Sequence, residues 1–202
     1  MKLATTDSTQ QLGQRLIGEM ADAAVELRHW HKVLRDYRPD DTLPHESHAW
    51  LACILALQAV SQGNFGVGAV LIDEAGRVLE YGHNQVFFPY FRSDRHAEMV
   101  VLDRWEDARQ ASGPLTLVTS LEPCPMCLIR LSGSHVNDIY HVAEDEIGGM
   151  VSRMESLPPY WLPMARDKKF AAAACSTQLH DASLGIVKLN LDTLTGDVRH
   201  RR

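Results

Sequence analysis

Two short motifs in the middle of the chain constrain its fold more than any other feature. The first is His-Ala-Glu at residues 96–98, and the second is Pro-Cys-Pro-Met-Cys at residues 123–127. Imidazole nitrogen and thiolate sulfur are ligands that zinc prefers in proteins. If His96, Cys124 and Cys127 hold one metal ion, the chain has to fold so that these two separate segments meet.

A Cys-x-x-Cys pair by itself is compatible with a redox pair, a structural zinc site or a catalytic zinc site. A redox pair is disfavoured, because the segment before Cys124 lacks the surrounding pattern of thioredoxin-like proteins. A structural zinc site usually has four protein ligands, and the chain has no second Cys-x-x-Cys. His96 with Cys124 and Cys127 supplies three ligands and leaves one position for water, which is the arrangement of catalytic zinc.

Both motifs lie at predicted helix starts, one helix running from about His96 to Arg109 and the other from Pro123 to near Gly133. The free N–H groups and the positive end of a helix stabilise a thiolate or a developing oxyanion. Glu98 follows His96 by two residues and is well placed to reach a water on the metal. Zinc lowers the pKa of such a water towards about 7, and a carboxylate can carry its proton to a substrate nitrogen.

The order H-x-E followed by P-C-x-x-C matches the signature of zinc-dependent deaminases. The region 48–142 resembles the cytidine deaminase-like superfamily, and within it the branch of guanine deaminases and tRNA adenosine deaminases. Besides the two motifs, the resemblance covers Gly-Val-Gly-Ala-Val-Leu-Ile-Asp at 66–73, Gly-His-Asn at 82–84 and Ser-Leu-Glu at 120–122.

The resemblance implies roles for individual residues. His96, Cys124 and Cys127 would bind Zn²⁺, and Glu98 would be the catalytic proton carrier. Asn84 would contact the base or ribose of a substrate; as an alternative, it is a loop residue that bonds to its own backbone.

Four further residues are candidates for substrate binding. Backbone N–H groups near Ala97 could hold the substrate, and the rings of Phe65 and Phe91 could stack on a heterocycle. The aromatic loop that contains Phe91 could equally be a hydrophobic anchor or a subunit contact. Trp161 could form part of a lid from the C-terminal side.

The order of predicted elements indicates an α/β fold. From residue 48 a helix and two strands are followed by alternating helices and strands, which predicts a three-layer α/β/α sandwich around one mixed sheet. The resemblance implies five strands. We expect an N-terminal helical extension over 1–42 and a deaminase domain over 43–202. The core of that domain spans about 48–142, and a C-terminal helix and strand extension spans 143–202.

Two segments outside the core have less certain patterns. Apolar residues recur at steps of four and three near the N-terminus and predict one helix that packs on its own domain or forms a dimer contact: Leu12, Leu16, Met20, Ala23, Leu27, Trp30, Leu34 and Tyr37. Near the C-terminus, we expect a helix over 167–180. The segment 185–202 is expected to be a strand, a turn and a short return strand.

Composition limits the partners and the compartment. A net charge of -6 and a pI of about 5.9 disfavour a broad phosphate-binding surface. The four cysteines make a poor disulfide framework, which favours a cytoplasmic protein. No apolar run reaches the ~18 residues of a membrane helix, so no membrane partner is expected.

The predicted function is zinc-dependent hydrolytic removal of an exocyclic amine from a nucleobase, nucleoside or related small heterocycle, with a guanine-like purine favoured and ammonia released. One alternative is a tRNA-specific adenosine deaminase, although a tRNA partner is not favoured. A non-catalytic zinc-binding partner subunit is an alternative of another class. The resemblance also implies a homodimer.

Overall fold

A computed structural model of the chain describes residues 8–20, 25–109 and 113–200. These residues form eight α-helices and five β-strands. The helices are α1 (Thr9–Gly18), α2 (Arg28–Asp36), α3 (Glu46–Ser61), α4 (Ala97–Asp107), α5 (Pro125–Ser132), α6 (Trp161–Arg166), α7 (Thr177–Lys188) and α8 (Leu191–His200). The strands are β1 (Gly68–Asp73), β2 (Val78–His83), β3 (Leu115–Leu121), β4 (Val136–Ala143) and β5 (Lys169–Ala172).

The five strands form one mixed sheet in the order β2-β1-β3-β4-β5. Strand β1 is antiparallel to β2 and to β3, whereas β3, β4 and β5 run parallel. Parallel neighbours need a crossover connection, and the segments that contain α5 and α6 make the two crossovers.

Successive strand residues point to opposite faces of the sheet, which creates two cores. Val70 and Val118 pack in one core with residues of α3 and α7. Leu71 and Leu117, their neighbours in sequence, pack in the other core with residues of α4 and α5. The predicted three-layer α/β/α sandwich is therefore confirmed.

Helix α3 has apolar residues on all of its sides, and other elements cover it on several of them. It packs on the sheet as well as on α1, α2 and α7, and a helix with this pattern is typical of a buried position. Gly63 follows its end with a φ of 78°, a left-handed conformation that favours glycine. No helix in the described parts of the chain has the length and apolar character needed to cross a membrane.

The single helix predicted near the N-terminus is two helices in the structure. Helix α1 ends at Gly18, and a 3₁₀ turn over Val25–Leu27 leads into α2; Ala23 lies outside the described residues. The side chains of Leu12 and Leu34 are fully buried in the same core as α3. The apolar face therefore packs on its own domain, which is the first of the two arrangements expected for it. The division at residues 42 and 43 stays a prediction.

A buried polar network joins this N-terminal segment to α7. The Tyr37 hydroxyl donates to the Glu46 carboxylate and lies 2.6 Å from the Ser176 hydroxyl. The backbone N–H of Ser176, the N-cap of α7, donates to the same carboxylate at 2.8 Å. Burial and the hydrogen bond to Glu46 raise the pKa of Tyr37 to about 12, so its hydroxyl stays a donor.

Both predictions for the C-terminal segments are wrong. Residues 167–180, expected to be one helix, contain the edge strand β5 and then the start of α7. Residues 185–202, expected to form strands, contain the end of α7 and all of α8 as far as the structure describes them. Parallel pairing of β5 with β4 overrides the helix propensity of the alanine-rich run.

The close approach of α1 to α3 gives a test of this packing. A Cβ atom at Gly13 would overlap the buried ring of Trp50. We expect Gly13→Ala to lower the free energy of unfolding by about 1–3 kcal/mol, as overpacking of a core does. Chemical denaturation would measure the change. Gly18→Ala on the same helix is the control, because its Cβ would meet no atom within 4 Å. Equal stability of the two variants would contradict this packing.

Candidate active site

The sheet brings the two sequence motifs to one place. Strand β3 ends at Leu121, and Cys124 is the N-cap of α5 three residues later. His96 is the N-cap of α4, and its backbone is extended like that of Cys124. Both motifs therefore lie at helix starts, as the sequence predicts, and the two helix N-termini meet beyond the end of β3.

Three side chains converge there in a metal-binding arrangement. The ligand atoms of His96, Cys124 and Cys127 all lie within 4.8 Å of one another. The Nδ1 atom of His96 is 3.6 Å from the Cys124 sulfur and 3.5 Å from the Cys127 sulfur. A tetrahedral zinc with usual Zn–S and Zn–N bond lengths separates nitrogen from sulfur by roughly 3.6 Å. The geometry and the chemistry of the donor set both fit zinc.

The ionisation of one of the three groups, the Cys124 thiol, already favours the form that binds a cation. Hydrogen bonding from Cys127, opposed by burial and helped by His96, lowers the pKa of the Cys124 thiol to about 4. The hydrogen bond with Cys124, together with burial, raises the pKa of Cys127. Burial lowers the pKa of His96, but the hydrogen bond and charge of Cys124 outweigh it and the net shift is upward. A divalent cation replaces the protons that these groups would otherwise hold.

Glu98 lies beside this cluster. Its side chain is 3% exposed, and its Oε2 atom is 3.4 Å from the sulfur of Cys127. Burial, then the negative charge of Cys124, raises the pKa of the Glu98 carboxyl. A carboxyl group with a raised pKa, next to a metal cluster, is suited to accept and return a proton near neutral pH.

A cavity of about 180 Å³ opens on the cluster. Its wall includes His96, Glu98 and Cys124, so both the metal site and the carboxylate face the same space. Pockets that enclose drug-sized ligands usually measure about 300–1,000 Å³. The cavity is therefore the size for one small ring system.

Only some of the candidate substrate-binding residues lie in the cavity wall. Phe65 and Asn84 line the cavity, while Ala97 is fully buried at the start of α4. Phe91 and Trp161 are not among the described residues that line the cavity. The ring of Phe91 makes an edge contact with another phenylalanine of its loop, and that of Trp161 makes one with a neighbouring tyrosine.

The position of Asn84 is compatible with both of the roles considered for it. Its side-chain oxygen accepts a hydrogen bond from the backbone N–H of Val86 at 3.0 Å, so it shapes its own loop. It also forms part of the cavity wall. Since the oxygen bonds to the loop, the amide N–H₂ is the part of the side chain suited to contact a substrate.

Glu122 holds the loop after β4 against the site. Its carboxylate accepts backbone N–H groups of Asp145 at 3.0 Å and Ser152 at 2.9 Å. Burial raises the pKa of Glu122, but these two hydrogen bonds outweigh it and the net shift is downward. The ionised carboxylate thus fixes Asp145, which lines the cavity.

Part of the cavity wall lies on the C-terminal helices, which sequence reasoning missed. Val187 of α7 and Leu191 and Thr195 of α8 line the cavity. They follow each other at steps of four, the spacing of one helix face. That spacing was the signal available in the sequence, but it indicates a site wall only if the segment is recognised as helical.

Asn64 positions both the start of α8 and the aromatic loop before α4. The side-chain oxygen of Asn64 accepts the backbone N–H groups of Phe87 and Phe88 at 2.8 and 3.0 Å. The Asn190 side chain donates to the backbone oxygen of Asn64 at 2.7 Å. The loop before α4 and the residue that precedes α8 are therefore positioned by the same residue, Asn64.

Comparison with known proteins places these features in a family. Residues 44–143 match the family model described as the cytidine and deoxycytidylate deaminase zinc-binding region. The matched part contains the three candidate metal ligands and Glu98.

Two curated proteins are similar over the same part of the chain. The tRNA-specific adenosine deaminase of Bacillus subtilis is 35% identical over 107 residues, which are 50% of this chain and 63% of that protein. A tRNA(Ile)-lysidine synthase of Deinococcus deserti is 33% identical over 115 residues, which are 53% of this chain and 20% of that protein. The chain thus spans less than two thirds of either relative.

Solved structures show the same architecture. A chain from a study of A-to-I editing by tRNA:A34 deaminases superposes with a TM-score of 0.51 and 28% identity, covering 60% of this chain and 93% of that chain. A guanine deaminase from Nitrosomonas europaea superposes with a TM-score of 0.57 and 18% identity, covering 77% and 90%. At that identity the second likeness concerns the fold.

Removal of one ligand tests the metal centre. We expect Cys124→Ala to lose bound zinc, because two remaining ligands do not hold the ion tightly. Metal content of the purified protein, measured by elemental analysis, checks this. Cys53→Ala is the matched control, since Cys53 is buried in the core and is not one of the three clustered ligands. Full zinc content in Cys124→Ala would exclude the ligand assignment.

Proposed function

Because the chain belongs to the cytidine and deoxycytidylate deaminase family, we propose that it is a zinc-dependent hydrolytic deaminase of a small nitrogen heterocycle. A guanine-like purine is the favoured ring. The reaction takes a ring carbon that bears an amino group and water, and gives the corresponding carbonyl compound and ammonia.

The observation that carries this proposal is the position of Glu98. The carboxylate is buried, faces the same cavity as His96 and Cys124, and lies 3.4 Å from the Cys127 sulfur. A structural zinc site has no use for an acid–base group at this place. Its presence therefore favours catalysis over a non-catalytic zinc-binding subunit.

The chain's own residues account for the proton transfers. Zinc, when bound by His96, Cys124 and Cys127, supplies a Lewis acid that lowers the pKa of water at its fourth position. Glu98 takes a proton as the water oxygen bonds to the ring carbon, and it delivers that proton to the ring nitrogen. Glu98 then takes the remaining proton of the new hydroxyl group and gives it to the exocyclic amine. The carbon–nitrogen bond breaks, ammonia leaves, and the ring carbon keeps the oxygen as a carbonyl. The carboxylate ends in its starting form.

The remaining cavity wall orients the ring. Phe65 offers an aromatic face, and Asn84 offers amide N–H groups. Val67, Leu121 and Val187 supply apolar surface on the same cavity. An apolar slot with few polar groups is the usual form of a small-molecule site.

Small substrates are favoured over a nucleic acid for two reasons. The net charge of -6 opposes binding of a polyanion. Leu191 and Thr195 of α8 also form part of the cavity wall, so a large substrate has to reach the site past α8.

A tRNA adenosine deaminase is the second candidate. It is favoured by the Bacillus subtilis relative, whose named activity is on tRNA, and by the tRNA:A34 deaminase structure. The chemistry at Glu98 would be the same, and only the substrate would differ.

Assembly as a homodimer is part of the proposal. The loop after β2 exposes apolar side chains that a second copy of the chain could cover, among them Phe88 and Tyr90. The molar mass in solution measures this, and a monomer at all concentrations would exclude it.

Replacement of the proton carrier tests the mechanism. We expect Glu98→Gln to keep zinc and the fold but to lose about 10²–10⁴-fold in the rate of ammonia release, the usual contribution of a positioned acid–base group. A panel of guanine, adenine, cytosine and their nucleosides supplies the substrates. Glu74→Gln, in an exposed turn, is the control and should keep its activity. An unchanged rate in Glu98→Gln would exclude this mechanism.

Binding of tRNA distinguishes the two candidates. The small-molecule proposal predicts weak association with tRNA at physiological salt, because the protein is acidic. A gel-shift titration at low and physiological salt measures it. Tight binding that weakens steeply with salt would favour the tRNA candidate.

A further inference from the structure

The catalytic cavity does not end at the metal site. A second, larger space of about 670 Å³ lies between α7, α8 and the loop after β4. We call it the α8 groove. The two spaces have five wall residues in common: Leu121, Asp145, Val187, Leu191 and Thr195. The two spaces are therefore adjacent, and a ring at the metal site would lie next to the α8 groove.

The groove has an apolar lining. Leu184 and Val187 of α7 and Leu191 of α8 contribute to it. Ile147 stands at its edge with 88% of its surface exposed. Its side chain adds apolar surface at the mouth of the groove.

Charged groups around the groove are mainly acidic. The carboxylates are those of Glu144, Asp145, Glu146 and Asp192, and the permanent cations are Lys188 and Arg199. The carboxylate of Glu144 is paired with His180, whose Nε2 atom lies 3.0 Å from the Glu144 Oε2 atom. Carboxylates accept hydrogen bonds from hydroxyl groups, and their negative charge repels phosphate.

We propose that the α8 groove is a substrate subsite for an uncharged, hydroxyl-bearing group attached to the ring, so that the substrate is a nucleoside rather than a free base or a nucleotide. This inference rests on the proposed deaminase function. The carbon atoms of a ribose contact the apolar lining, and its hydroxyls donate to the carboxylates. A free base leaves the groove empty, and a phosphate meets four carboxylates against two permanent cations.

One glycine gives access to the groove without disturbing the metal site. Gly196 of α8 lines the groove but not the catalytic cavity, and a Cβ there would meet no atom within 4 Å. A tryptophan at this position projects into open space beside the groove. It also suits a helix better than glycine does. Gly196→Trp therefore narrows the groove while α8 stays intact.

The first measurement compares matched ligands on the unmodified, zinc-loaded protein. The probes are the free base, the nucleoside and the nucleoside 5′-monophosphate of guanine, adenine and cytosine. For the ring that is deaminated, we expect kcat/KM for the nucleoside to exceed that for the base by at least about tenfold, the scale of a filled pocket. A base that reacts as fast as its nucleoside would overturn the subsite.

The second measurement uses the groove variant. We expect Gly196→Trp to lower the nucleoside-to-base ratio of kcat/KM by about tenfold or more. Gly18→Trp, at an equally open position on α1, is the matched control and should leave the ratio unchanged. Circular dichroism confirms that both variants are folded. An unchanged ratio in Gly196→Trp would overturn the proposal.

The third measurement separates a nucleoside from a nucleotide. We expect the 5′-monophosphate to react about tenfold more slowly than the nucleoside at low salt, and the gap to narrow as salt screens the carboxylates. The double variant Glu146→Gln, Asp192→Asn should narrow it as well. A monophosphate that reacts faster than the nucleoside would assign the groove to a phosphate-bearing substrate instead.

Calorimetric binding distinguishes a failure of this inference from a failure of the deaminase function. If no probe releases ammonia, the proposed function fails. Tighter binding of nucleosides than of bases, reduced in Gly196→Trp and not in Gly18→Trp, would still support the subsite. If ammonia is released but base and nucleoside bind and react alike, the subsite fails and the deaminase function stands.

Discussion

The convergence of two helix N-termini beyond the end of one central strand is the constraint on which the rest of this structure depends. His96 and Cys124 are N-caps, so neither ligand interrupts a helix, and their helices point positive ends at the same small space. The apolar residues that follow each motif pack in one core with Leu71 and Leu117 of the sheet. The burial that folds this side of the sandwich is therefore also what holds the three ligand atoms together. Glu98, in the first turn of α4, gains its position in the same way.

Around this centre, polar groups fix the loops that the core cannot reach. Glu122 holds the loop after β4 through two backbone N–H groups, and Asn64 does the same for the loop before α4. Each is nearly or fully buried and accepts more than one hydrogen bond. A buried acceptor that loses such partners costs free energy, so these loops are well defined although most of their side chains lie outside the cores. The Glu46 carboxylate likewise accepts a backbone N–H group, that of Ser176 at the N-terminus of α7.

The central part of the fold follows from local patterns, and the C-terminal part does not. The short apolar runs of β1 and β3 and the motifs at the starts of α4 and α5 depend on near neighbours in sequence, so the sequence is enough to predict them. The run from Lys169 to Ala172 has helix-forming residues but pairs with β4, and that choice depends on an edge of the sheet left open by distant segments. Leu191 and Thr195 could not be assigned to the cavity because α8 was expected to be strands. The cluster of candidate metal ligands beside Glu98 was thus predictable, whereas the part of the cavity wall that lies on α7 and α8 was not.

The wall on α8 differs from the rest of the site in how little of the fold rests on it. None of the residues of α8 is buried, whereas α4, which carries Glu98, has seven buried residues. Substitutions on α8 therefore change the shape and charge of the site at small cost in folding free energy, while most substitutions on α4 are destabilising. The geometry of the His96, Cys124 and Cys127 cluster and the shape of the cavity beside it are thus governed by separate parts of the chain.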